Sequence, residues 1–218
     1  MQKRQSFDIA LRELRTKLLK MGADVQEALT KSVQSLEKLD SIAAHEIVKG
    51  DQNINRQEHE IEDLCIRLIA RQQPVATDLR KIVAGVRIAS DLERMADLAV
   101  DVAKTTIRLQ GLTLPQSLKD IHHMATIIEG MIADSLEAYV ENSAQLAHRL
   151  AEQDDAVDHI YRKLVEGLFS LSAENPNVVS QAMALAFVGR YLERIGDQAT
   201  NIGESVIYIA SGERSDLN

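Results

Sequence analysis

The chain has 218 residues and a formal net charge of −8, with 45% apolar residues, 3% aromatics and no Trp. Phosphate backbones need clustered positive charge, so this balance excludes nucleic acid as the main partner, along with a bare polybasic membrane anchor. Cys65 is the one cysteine and the longest apolar run, AMALAFV, is far shorter than a bilayer, so the expectation is a soluble cytoplasmic protein without disulfides or membrane insertion.

Ala, Leu, Glu, Gln, Lys and Arg dominate, and only three prolines and ten glycines interrupt them, which is the composition of long helices. The first helix is expected over 7–39, where Phe7, Leu11, Leu14, Leu18, Met21, Val25 and Ala28 recur in steps of four and three. A second over 42–72 carries Ile47, Ile54, Ile61, Cys65 and Leu68 on one seam, with Asp51 and Glu58 between them. Pro74 announces a third over 77–110, which Gly111 closes. Pro115 opens a fourth over 115–147 and a fifth follows over 150–172. Asn175-Pro176 reads as an N-cap and first helical residue for the sixth, over 177–210, with Gly212 as its C-terminal stop. No segment alternates with the period of a strand.

The halves match each other. SLE at 35–37 recurs at 135–137, and the second helices align at an offset of 103, pairing Asp51, Asn55 and Ile61 with Asp154, Asp158 and Leu164. The third helices align at 100, with seven identities between 79–107 and 179–207. The expected fold is therefore all-α: six long helices in two tandem three-helix bundles, 1–112 and 113–218. Gly189, Gly196 and Gly203, matched by Ala89, Ala96 and Ala103, imply a close helix neighbour, because interior Gly costs about 0.5–1 kcal/mol relative to Ala. The expected neighbour is the other half's third helix.

Four of the seven identities are apolar and need only packing. The other three are Glu93, Arg94 and Asp97, repeated as Glu193, Arg194 and Asp197. Residues i and i+4 share a helix face, so each acid pair projects together, followed one turn on by Asp101 or Asn201. Like charges at this spacing repel unless neutralised. Asp51, Asn55, Glu58, Asp154 and Asp158 stand on the second helices as further oxygen donors, and acids on an apolar seam are costly unless paired or ligated. An all-oxygen set suits hard cations such as iron, manganese, magnesium or calcium. The competing reading is an ordinary salt-bridged face, with Arg94, Arg190 and Arg194 as partners. No nucleophile, catalytic base, phosphate loop or organic-cofactor motif is present, so no catalytic residue is assigned. The alternative is a metal-dependent enzyme acting on a phosphate ester.

The doubled LERMADLAVD and LERIGDQATNI, with RQQPVATDLR at 71–80 and the opening FDIALRELRTKLLKMGADVQEAL, resemble the PhoU family over nearly the whole chain. The resemblance implies two similar three-helix bundles, each with a Glu/Asp-x-x-x-Asp motif able to hold metal clusters, sometimes of iron. Glu93 and Asp97 fill the first motif, Glu193 and Asp197 the second, while Asp101 faces Asn201 across the repeat. It further implies a non-catalytic negative regulator of phosphate uptake, linking a phosphate-specific ABC transporter to a sensor histidine kinase. The expected partners are the transporter's cytoplasmic ATPase, the kinase and a second copy in a homodimer. Arg80, Arg87 and Lys81 are candidate partner contacts.

Overall fold

The computed structural model describes residues 2–115, 118–213 and 215–217, with side chains from Gln5 onward. Among the described residues every regular element is helical. The first half holds α1 (Gln2–Lys38), α2 (Ser41–Gly50), α3 (Gln52–Gln72) and α4 (Ala76–Arg108). The second holds α5 (Lys119–Glu141), α6 (Ala144–Glu174), a 3-10 turn (Pro176–Val178) and α7 (Val179–Ser211). None of these helices is long and apolar enough to cross a membrane.

The architecture is the expected pair of three-helix bundles with one correction. The second helix of the first bundle is broken at Asp51 into α2 and α3. Asp51 keeps helical angles but makes no side-chain cap, and Gly50 before it weakens the helix there. Two other limits also move. The fourth expected helix begins at Lys119, not Pro115, and it ends at Glu141 because Asn142 turns left-handed (φ 52°) and Ser143 caps α6 through Leu146 N–H. The same device stands at offset 103: Leu39 is left-handed (φ 48°) and Asp40 accepts from the N–H groups of Ile42 and Ala43. Asn175 does cap as read, accepting from Asn177 N–H, but it starts the 3-10 turn that leads into α7.

One layer sets α3, α4, α7 and α6 side by side, and α1 and α5 pack behind it and on each other. α4 and α7 run antiparallel, since Arg87 lies over the Tyr208 ring and Arg80 lies against Gly212 at the far end of α7. A continuous core runs through both halves, from Leu14, Leu18 and Ile88 to Met131, Leu164 and Leu192. Polar contacts tie the back layer as well. Arg15 donates to Val140 C=O at 2.7 Å, and Thr30 donates to Glu129 at 2.6 Å.

The glycine seam corrects the sequence reading. A Cβ on Gly189 would meet Leu164 at 2.8 Å and Tyr161 at 3.1 Å. On Gly203 it would meet Leu150 at 2.7 Å, and on Gly196 it would meet Asp154 at 3.2 Å. The close neighbour is α6 of the same half. Small residues report that a helix approaches; they carry no information on which one.

Candidate functional site

The groove between the second and third helices of each half gathers its carboxylates. Asp51 and Glu58 on α3's side face Glu93 and Asp97 on α4 closely enough that the four repel one another. Asp154 and Asp158 on α6 face Glu193 and Asp197 on α7 in the same way. The face chosen is dictated by helical spacing: the apolar seam goes to the core, and the acids one step round lie at its border.

Burial, then mutual repulsion, raises the carboxyls of Asp51 and Glu93 above their ordinary range. Burial raises Glu58 too, against the pull of the His59 and Arg94 charges. The effect is larger in the second half. Asp154 is pushed up to about 6 and Glu193 to about 7, in both cases by desolvation first and by neighbouring carboxylates next. Asp197 is raised by burial, with Arg190 opposing. Such shifts mark carboxyls drawn out of water first, with the neighbouring carboxylates adding to the cost of charge in most of them.

Three oxygens in the clusters are buried without a hydrogen-bond partner: Asp51 Oδ1, Asn55 Oδ1 and Glu193 Oε2. Buried acceptors are rarely left so, and a hard cation in each cluster would satisfy them. Yet among the described residues no three His, Cys, Asp or Glu side chains stand in a ready metal-holding group. The donor chemistry fits a hard cation, and the side chains must turn to close on one.

The clusters differ in the cation the chain itself supplies. In the first, Lys104 bonds Asp101 at 2.9 Å, and its ammonium is raised by that bond and by Asp97 and Asp51. Asp101 is therefore engaged by lysine at the rim. In the second, Arg190 binds Glu193 through Oε1, and Arg194 lies near Asp197. Glu193 is 9% exposed, so its other oxygen faces the cluster alone. Asn201 is half-buried one turn beyond Asp197. Arg94 is exposed and near Glu58 and Glu93. The counterparts of Lys104 and Arg190 are Glu204 and Ser90, so the pairings are not shared.

The break at Asp51 opens a cavity of about 440 Å³ between α1, α2, α3 and α4, with Asp51 on its wall. Of the first cluster's four acids only Asp51 lines this cavity, while α6 runs unbroken past the second cluster. Sequence reasoning missed Lys104, although its i+3 spacing from Asp101 was a signal. It also missed Asp91, whose carboxyl burial pushes up to about 7 against the pull of Arg94 and Arg87. Arg80, a candidate partner contact, is half-buried and donates to Thr77 Oγ1 at 3.2 Å beside Gly212. Cys65 is buried in the core with its thiol pushed up to about 12, which fits packing and not reactivity.

The model of the PhoU domain matches this chain twice, over residues 18–106 and 121–206. A protein from Clostridium acetobutylicum named phosphate-specific transport system accessory protein PhoU homolog is 42% identical over 99% of both chains. One of the same name from Aquifex aeolicus is 39% identical, over 93% of this chain and 92% of the relative. The crystal structure of PhoU from Pseudomonas aeruginosa superposes with a TM-score of 0.89 at 34% identity, covering 95% of this chain and all of that one. That of the phosphate transport system regulatory protein PhoU from Streptococcus pneumoniae gives 0.90 at 30% identity, covering 96% and 99%.

Proposed function

This chain belongs to the PhoU family, and from that premise we propose that it is a non-catalytic accessory protein of phosphate transport acting from the cytoplasm. It restrains uptake and the phosphate-starvation response by contact with the cytoplasmic ATPase of a phosphate-specific transporter and with a sensor histidine kinase. The observation that carries this reading is the doubled domain match, spanning both bundles, to proteins named for that accessory role. The two carboxylate clusters hold hard cations, with Glu93, Asp97, Asp51, Asn55 and Glu58 as the donors of one site. Glu193, Asp197, Asp154 and Asp158 supply the other. A bound cation would offset the mutual repulsion of these acids and stiffen the groove between the second and third helices.

Deleting the gene in the source cell is expected to leave phosphate-starvation genes on in rich phosphate, and the purified chain is expected to bind the ATPase or the kinase's cytoplasmic region. Normal repression in the deletion strain, with binding to neither partner, would overturn the accessory reading. Hydrolysis of a generic phosphate ester by the metal-loaded chain would put a metal-dependent enzyme in its place.

A further inference from the structure

Exposed apolar side chains are not scattered over this molecule. Of the twelve large hydrophobic residues exposed among the described residues, eight fall in two strips. The first is Ile66, Ile69, Val75 and Leu79, at the tip where α3 hands over to α4. The second is Phe169, Val179, Met183 and Phe187, where α6 hands over to α7. Ile66 is 60% exposed and Phe169 74%, and they are counterparts at the offset of 103 that aligns the second helices. Leu79 and Val179 are counterparts at 100. A core seam explains none of them, and the repetition argues against chance exposure.

Each strip shares a helix face with its carboxylate cluster. On α4, Leu79 precedes Asp97 by eighteen residues, which is five whole turns, and Val179 precedes Asp197 by the same step on α7. On α3, Asn55 precedes Ile66 by eleven residues, about three turns, as Asp158 precedes Phe169 on α6. Each groove is thus apolar at its outer tip and acidic toward the middle of the molecule. The antiparallel α4 and α7 place the tips at opposite ends of a pair about 50 Å long. With α4 and α7 antiparallel and the two halves repeating one another, the grooves are equivalent, and α1 packs on α3 and α4 as α5 packs on α6 and α7.

We propose that these grooves are two equivalent docking sites, each taking an amphipathic helix from a partner protein that presents the same helix twice. The occupant's apolar anchors lie on the strip, and its Lys or Arg side chains lie over the carboxylates. Charge decides among occupants. Four carboxylates line the inner end of each groove against two basic side chains, Arg94 and Lys104 in one and Arg190 and Arg194 in the other, so each groove without metal keeps net negative charge and its complement is basic. A second copy of this chain carries −8 and would set carboxylates against carboxylates. An anionic bilayer would be repelled on the same ground. A twofold partner engages both grooves together, and the second contact then forms at high effective concentration. The inference rests on the reading that this chain works by protein contact.

The test places the photoreactive residue p-benzoylphenylalanine at position 66, 169 or, as an exposed control off the strips, 42, in the source cell. Positions 66 and 169 are expected to capture one and the same protein through a basic amphipathic helix, and position 42 is not. With that protein purified, Ile66→Glu with Leu79→Glu should weaken binding at least tenfold, as should Phe169→Glu with Met183→Glu. Joining the two pairs should abolish it, while helical content and melting temperature stay those of the parent and Ile42→Glu changes nothing. Capture no stronger than at position 42, capture of a lipid, of a second copy or of different proteins at the two sites, or unchanged affinity in the charged variants would overturn the proposal. A captured protein that is neither the transporter ATPase nor the kinase would leave the grooves standing and overturn the partners assigned above.

Discussion

Replacing Glu193 by Gln removes one negative charge from the second cluster while keeping side-chain size and an oxygen for Arg190. The carboxyl rises from 4.5 to about 7 in the folded chain, chiefly through burial, then through Asp197. A folded-state value above the unfolded one means the contribution is fully present below about pH 4.5 and is lost as pH rises through about 7. At about 1.4 kcal/mol per pH unit that interval sets an upper bound of about 3 kcal/mol. The attraction to Arg190 is already contained in that shift, and solvent at the Arg190 rim reduces the bound to about 1–2 kcal/mol.

Chelator-treated E193Q should therefore melt about 3–6 °C above the parent at pH 8 and within about 1 °C of it at pH 5. With saturating manganese at pH 8 the order should reverse, because a ligand that binds only the folded state adds about 2.7 kcal/mol at a hundredfold excess over Kd and the variant has lost a donor. Differential scanning calorimetry at both pH values, with and without the metal, measures all four quantities. An E193Q chain that melts below the parent at pH 8 without metal, or a gap equal at both pH values, would refute the reasoning.

The first cluster should behave in parallel. Glu93→Ala with Asp97→Ala is expected to cancel that cluster's share of the metal-induced rise in melting temperature while leaving the helical circular dichroism unchanged; a full rise would show that other residues bind the metal. Gly203→Ala is expected to cost about 1–3 kcal/mol in denaturant unfolding, because the added Cβ would stand 2.7 Å from Leu150 and 3.2 Å from Leu217. Gly167→Ala, with open space around it, should instead be neutral or stabilising, and a loss there like that at Gly203 would remove packing as the cause. Limited proteolysis is expected to cut first within 109–118, between α4 and α5, where left-handed Gly111 and exposed Leu112 interrupt the helices. Early cuts within α1 or α4 would count against a boundary near 112.

Helical faces were legible in the sequence because burial follows the four-three count: Leu14, Leu18, Met21 and Val25 are all fully enclosed. Helix ends were less legible, since the apolar pattern runs through them. Ile47 and Ile54 carry the seam past Asp51, and Tyr139, Ala147 and Leu150 carry it past Asn142. The missed break at Asn142–Ser143 was readable only by mapping the Leu39–Asp40 break onto it at offset 103. The acids of the clusters were legible because duplication kept them while neighbouring charges drifted. Of their compensating cations Arg190 was legible, one turn before Glu193, while Lys104 was not, because the two come from unmatched positions at opposite ends of the acid stripe.

That mismatch bears on what the clusters are for. Were salt bridging their role, each copy would have kept an acid together with its base. Glu93, Asp97, Glu193 and Asp197 remain, while Lys104 answers Glu204 and Arg190 answers Ser90 across the repeat. Arg94 and Arg194 do persist, but both are exposed, where ion pairs stabilise little. The oxygens are thus the fixed part of each site and the internal cation is the replaceable part. A buried acceptor without a donor in each cluster, Asn55 Oδ1 in one and Glu193 Oε2 in the other, is what an intrinsic base leaves unfilled. A cation from outside the chain, metal or basic side chain, is the charge proposed above to complete both clusters.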